Sequence, residues 1–136
     1  MNYVKPYSDI FVKYLFGSQG NEDILLHFIN AVLSDSELTR ISDVAILNPF
    51  NLQSFSRDKL SILDVKARDE TDRLYNIEIQ STSDEGFKHR ILYYWAKLYS
   101  YQLKPGESYL LLRPTISINI VNFRLIEECD DIHNWF

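Results

Sequence analysis

Residues 60–80 constrain this chain more than any other stretch. LSILDVKAR (60–68) and RLYNIEIQ (73–80) are rich in Ile, Leu and Val and flank a polar link, Asp69-Glu70-Thr71-Asp72. Two such runs joined so tightly read as an antiparallel hairpin. With Glu70, Thr71 and Asp72 as a three-residue loop, Asp69 pairs with Arg73, and Asp64 falls directly opposite Glu78. The third loop position calls for a left-handed backbone, which Asp tolerates better than most residues. Side chains alternate along a strand, so Gln80 shares the face of Glu78 and Asp64. Directly opposed Cβ atoms lie about 4.5–5.5 Å apart. Two carboxylates at that spacing repel each other unless a cation sits between them, which makes the pair half of a Mg²⁺ site.

The alternative is an acid on the watery side of an antiparallel sheet, a common arrangement that needs no function. Ile62, Leu63, Val65, Leu74, Ile77 and Ile79 argue against it, because they make both strands apolar around the acids. Such a pattern belongs to a sheet covered on both faces, where a carboxylate needs a partner or a metal.

The other segments give this hairpin its setting. Residues 7–16 form a short aromatic segment carrying Asp9 and Lys13, closed by Gly17. Residues 21–33 read as a helix, with Ile24, Leu25, Phe28, Ile29 and Val32 at helical spacing and Asn21 as N-cap. Residues 41–47 read as a strand ending at the turn signal Asn48-Pro49. Residues 86–103 carry the strongest helical pattern, ended by Pro105-Gly106. Two strands are expected next, 107–112 and 116–123, and 131–136 reads as the start of another. The order helix, three strands, helix, strand, strand predicts an α/β fold with a mixed sheet and helices on its faces.

With 136 residues, 46% of them apolar, the chain is expected to form one domain with its own core. A single cysteine, Cys129, excludes an internal disulfide framework and fits a reducing cytoplasm. No run is long and apolar enough to span a bilayer, so no membrane partner is expected. A net charge of −5 argues against a basic nucleic-acid coat protein but permits a local cationic stripe. His27, His89 and His133 have no ligand spacing and read as structural or surface residues.

Five stretches carry a family likeness: DIFVKYLFG (9–17), LHFINAVL (26–33), ILDVKA (62–67), NIEIQ (76–80), and RILYYW (90–95) running into YSYQL (99–103). In this order they resemble the PD-(D/E)XK nuclease superfamily, and within it the recombination-promoting nuclease or putative transposase group. The resemblance implies a restriction-endonuclease-like αβββαβ core and metal-dependent hydrolysis of DNA phosphodiesters, with Mg²⁺ or Mn²⁺ as cofactor. It makes Asp64 the first acid and Glu78 the second, and sets Gln80 where the superfamily's lysine usually stands. Members commonly continue further, so residues 1–136 are expected to be a single nuclease-like domain lacking a C-terminal extension. A homodimer is an option the likeness leaves open.

The residues add detail to that expectation. The backbone carbonyl of Ile79 is a natural third oxygen ligand. Gln80 cannot take a proton and can only orient water or donate to phosphate, which predicts a slow enzyme. Lys66 shares the face of Asp64, where it either stands in for the missing lysine or reaches solvent along its stem. Asp9 is a candidate further acid, or an N-cap or surface residue. Arg90, Tyr94, Lys97 and Tyr101 fall on one helical stripe: Arg90 is a candidate phosphate contact and Tyr94 a hydrogen-bonding group near the metal. Lys97 and Tyr101 read as packing and solvation. The competing function is a catalytically impaired nuclease-fold module that binds DNA or a protein partner. A weaker third reading is an oligomerisation domain using exposed aromatics such as Tyr99, Trp135 and Phe136.

Overall fold

Side chains of the central strands alternate between two covered faces, and this decides the architecture. The structure is a computed structural model that describes residues 9–49 and 64–135. Its elements run α1 (Asp9–Gly17), α2 (Glu22–Leu33), β1 (Val44–Ile46), β2 (Val65–Asp69), β3 (Leu74–Gln80), α3 (Phe87–Ser100) and β4 (Thr115–Val121). They form a four-stranded mixed sheet of order β1-β2-β3-β4, antiparallel except for the parallel β3–β4 pair. Parallel neighbours need a crossover connection, which α3 supplies. The αβββαβ order implied by the resemblance is present, with α2 added after the first helix.

Odd-numbered residues of the central strands face α1 and α2. Val65, Ala67, Tyr75 and Ile77 are fully buried there with Leu25 and Ile29, and Val12, Phe16, Leu33, Ile41, Val44, Ile79 and Ile118 join the same core. Each fully buried Leu or Ile contributes about 1.5–3 kcal/mol of transfer free energy, so this face holds the domain together. Even-numbered residues face α3 and are more polar: Lys66, Asn76, Glu78 and Gln80, with Thr115, Ser117 and Asn119 from β4. Trp95 of α3 donates Nε1–H to Thr115 O at 2.8 Å, tying the helix to that side.

The hairpin turn is the one the sequence predicts. Asp69 N donates to Arg73 O at 3.1 Å, and Asp72 is left-handed with φ 65°. A buried network fixes it. The Asp69 carboxylate accepts from Thr71 N (2.8 Å), Thr71 Oγ1 (2.7 Å), Arg73 N (3.1 Å), Arg73 Nε (2.6 Å) and Tyr75 Oη (2.8 Å). Burial works to raise the Asp69 pKa, but the hydrogen bonds from Thr71, Tyr75 and Arg73 outweigh it and hold the carboxyl below its usual range.

Four expectations need correction or trimming. Residues 107–112 are not a strand: Ser108 caps a 3₁₀ turn at Tyr109–Leu111 by accepting from Leu110 N. This apolar run joins no ladder among the described residues, and Tyr109, Leu110 and Leu111 stay exposed. Residues 131–135 form no strand either, and Phe136 lies outside the described residues. Asn21 precedes α2 without capping it through its side chain; its Nδ2 instead donates to Leu15 O at 2.9 Å, satisfying the end of α1. The first strand shrinks to Val44–Ile46, because Asn30 holds Ile41 through both main-chain groups at 2.9 Å each. The strand portion expected over 60–63 lies outside the described residues.

Candidate metal and nuclease site

The β2–β3 ladder pairs Lys66 with Asn76 and Val65 with Ile77. Carried one step further, the same register puts Asp64 opposite Glu78, on the face covered by α3. Asp64 immediately precedes β2 and is 5% exposed. The Glu78 side chain is 16% exposed. The strands meet α3 at its first turn, where Arg90 reaches back across the sheet.

Each acid has its own cation. Lys66 Nζ stands 3.8 Å from Asp64 Oδ2, with 40% of its side chain exposed. Arg90 Nη2 lies 3.1 Å from Glu78 Oε1 and donates to Gln80 Oε1 at 2.9 Å. Arg90 Nη1 is also 3.7 Å from Asp84 Oδ2. Its Nε is buried with no hydrogen-bond partner among the described residues, so this guanidinium has donor capacity left. Gln80 Nε2 donates to Thr82 O at 3.0 Å, which leaves the amide oriented with its oxygen toward Arg90.

The Ile79 carbonyl is on the right side of the strand. Leu74 N donates to Pro114 O and Asn122 N to Gln80 O, so even residues of β3 give their main-chain groups to β4. Odd residues, Ile79 among them, turn theirs to the β2 side of the strand. Among the described residues no three His, Cys, Asp or Glu side chains gather into a group able to hold a metal. The oxygens that could serve a cation here are two carboxylates and one carbonyl. All are hard oxygens, and Mg²⁺ commonly binds through one or two carboxylates while keeping several waters. The donor set fits a Mg²⁺ or Mn²⁺ ion.

Not every candidate converges. Tyr94 is half-buried with its ring edge-on to Tyr93, centroids 5.4 Å apart, and makes no hydrogen bond to Glu78 or Gln80 among the described residues. One turn of helix separates it from Arg90, enough to carry its ring away from the strand ends. Lys97 is exposed and sits 5.9 Å above the rings of both Tyr93 and Tyr101. Asp9 opens α1, and its side chain lies outside those described. His133 Nδ1 is 3.5 Å from Asp35 Oδ2, and Cys129 Sγ is 2.8 Å from Asn134 Oδ1, both away from the acids. A cavity of about 770 Å³ lies between α3, β4 and residues 125–135, but none of Asp64, Glu78 and Gln80 lines it.

Sequence reasoning missed Lys13. It is 6% exposed, and its Nζ donates to the main-chain oxygens of Asp64 and, at 3.2 Å, Asn48. Burial pulls its pKa down to about 8, with the Asp64 carboxylate pulling the other way. The available signal was a lysine between Val12 and Phe16, both core residues, on a short apolar helix.

A model of the family described as PD-(D/E)XK nuclease family transposase matches residues 6–136. No curated protein and no solved structure matches the chain. No helix among the described residues is long and apolar enough to cross a membrane.

Proposed function

This chain belongs to the PD-(D/E)XK nuclease family transposases, and from that premise we propose that it is a divalent-metal-dependent DNA endonuclease acting in recombination or mobile-element movement. The observation that carries the reading is the β2–β3 register, which, extended by one pair beyond Val65 and Ile77, would set Asp64 against Glu78 beneath α3. Asp64, Glu78 and the Ile79 carbonyl would hold Mg²⁺ or Mn²⁺. When bound, such an ion lowers the pKa of water and neutralises charge on the phosphate.

The chain's own groups supply the rest. Gln80 orients water or donates to a phosphate oxygen, without the charge a lysine would bring. Arg90, part-buried beside Glu78 and Gln80, would contact the phosphate through its Nη groups. Lys66 stands beside Asp64 with its side chain partly exposed, and takes the adjoining phosphate. The absence of a lysine at position 80 predicts slow turnover. We further propose a cytoplasmic setting, consistent with the single free cysteine, and a homodimer when both DNA strands are cut.

The competing function draws on one observation. Lys66 and Arg90 already satisfy both acids, an arrangement that also suits a module that holds DNA or protein without cutting. Supercoiled plasmid incubated with Mg²⁺ or Mn²⁺ separates the two. Nicking that disappears with EDTA, in Asp64→Ala and in Glu78→Ala supports the nuclease. Intact plasmid at high protein concentration, or nicking unchanged in the variants, refutes it.

A further inference from the structure

Two side chains far apart in sequence converge on the main-chain carbonyl of Asp64. Lys13 Nζ donates to it from α1. Asn48 Nδ2 donates to it from beyond β1, at 3.1 Å. The same lysine donates to Asn48 O at 3.2 Å, and Asn48 Oδ1 accepts from Lys66 N at 2.6 Å. The two peptide units that follow Asp64 are thus held from two directions at once.

The stem of Lys13 is fitted closely. A Cβ on Gly17 would lie 3.2 Å from Lys13 Cδ, 3.4 Å from its Cε and 3.4 Å from Val65 Cγ2. Glycine at 17 leaves the channel through which the lysine crosses beneath β2. A carbonyl alone does not require this, since the neutral amide of Asn48 already reaches it. Burying an ammonium is costly unless nearby charge compensates it. The compensating charge here is the Asp64 carboxylate.

We propose that Lys13, acting with Asn48, is a positioning residue for the carboxylate pair: together they lock the Asp64 peptide in register with Glu78. This rests on the metal-site reading above. Neither residue touches the substrate; both act through Asp64. Partners of this kind, one step removed from the metal, typically change affinity about 10–100-fold when removed.

The test is Mn²⁺ titration by calorimetry on the wild type, Lys13→Met, Asn48→Ala and a core control, Leu25→Ala, each with its melting temperature. Asn48→Ala is included because its position is only half-buried, so it reports even if Lys13→Met does not fold. The expected result is Mn²⁺ affinity reduced about tenfold or more in both site variants, with Leu25→Ala binding as the wild type does despite a lower melting temperature. Wild-type affinity in Lys13→Met or Asn48→Ala overturns the proposal. So does an equal loss in Leu25→Ala, which would reduce the lysine to general stability. A wild-type chain that binds no Mn²⁺ overturns the metal-site reading itself, and this inference with it.

Discussion

Replacing Asp69 with Asn tests whether the hairpin turn is what holds the acids in register. The wild-type carboxylate receives five hydrogen bonds within the turn. Asn preserves the shape and one oxygen, but puts an NH₂ group or a neutral oxygen where Oδ2 accepts from Arg73 Nε and Tyr75 Oη. Arg73, with a side chain only 10% exposed, then keeps its contact to Thr39 O at 3.1 Å but loses its counter-charge. Breaking a buried ion pair from one side costs about 3–5 kcal/mol. For a domain of this size that is a drop of about 10–20 °C in melting temperature. The acid limb gives a second readout. Because the folded pKa of Asp69 is depressed, its contribution is complete above the unfolded value of about 3.9 and is lost as pH falls through the folded one. Urea unfolding of wild type and Asp69→Asn from pH 2 to 7 should show the gap closing toward the acid end. A loss below about 1 kcal/mol at pH 7, or two parallel acid limbs, would refute the reasoning.

Three further outcomes follow from the same geometry. Asp72→Gly relieves the φ of 65° and should stabilise the hairpin by about 0.5–1 kcal/mol, while Asp72→Val should destabilise it, both measured by urea unfolding. Arg90→Ala removes the cation paired with Glu78, so Mn²⁺ should bind more tightly by calorimetry while plasmid nicking slows by about tenfold or more. Leu110→Asp should leave stability within about 0.5 kcal/mol, because this side chain lies on an exposed turn and in no sheet.

How much was legible depended on how local the signal was. The hairpin could be read because its loop length and the alternation of Ile77 and Ile79 with Glu78 and Gln80 are short-range facts that fix register by themselves. Arg90 could be placed near Gln80 because only a short turn separates them. The run at 107–112 was misread because β-prone residues such as Tyr109 and Leu111 do not reveal whether a neighbouring strand has room for them. Lys13 was missed for a related reason. Its partner is the peptide of Asp64, fifty-one residues on, and main-chain acceptors leave no mark on a sequence. Helical spacing gives the face of α3 that Tyr94 shares with Arg90, not how far its ring extends toward the strands.

The central claim is that Asp64 and Glu78 hold one divalent cation between them. Anomalous scattering from a crystal of the protein soaked in Mn²⁺ tests it most directly. The account predicts a peak bonded to both carboxylates, with Arg90 swung away from Glu78. A crystal with no peak there, Lys66 still on Asp64 and Arg90 still on Glu78, would contradict it.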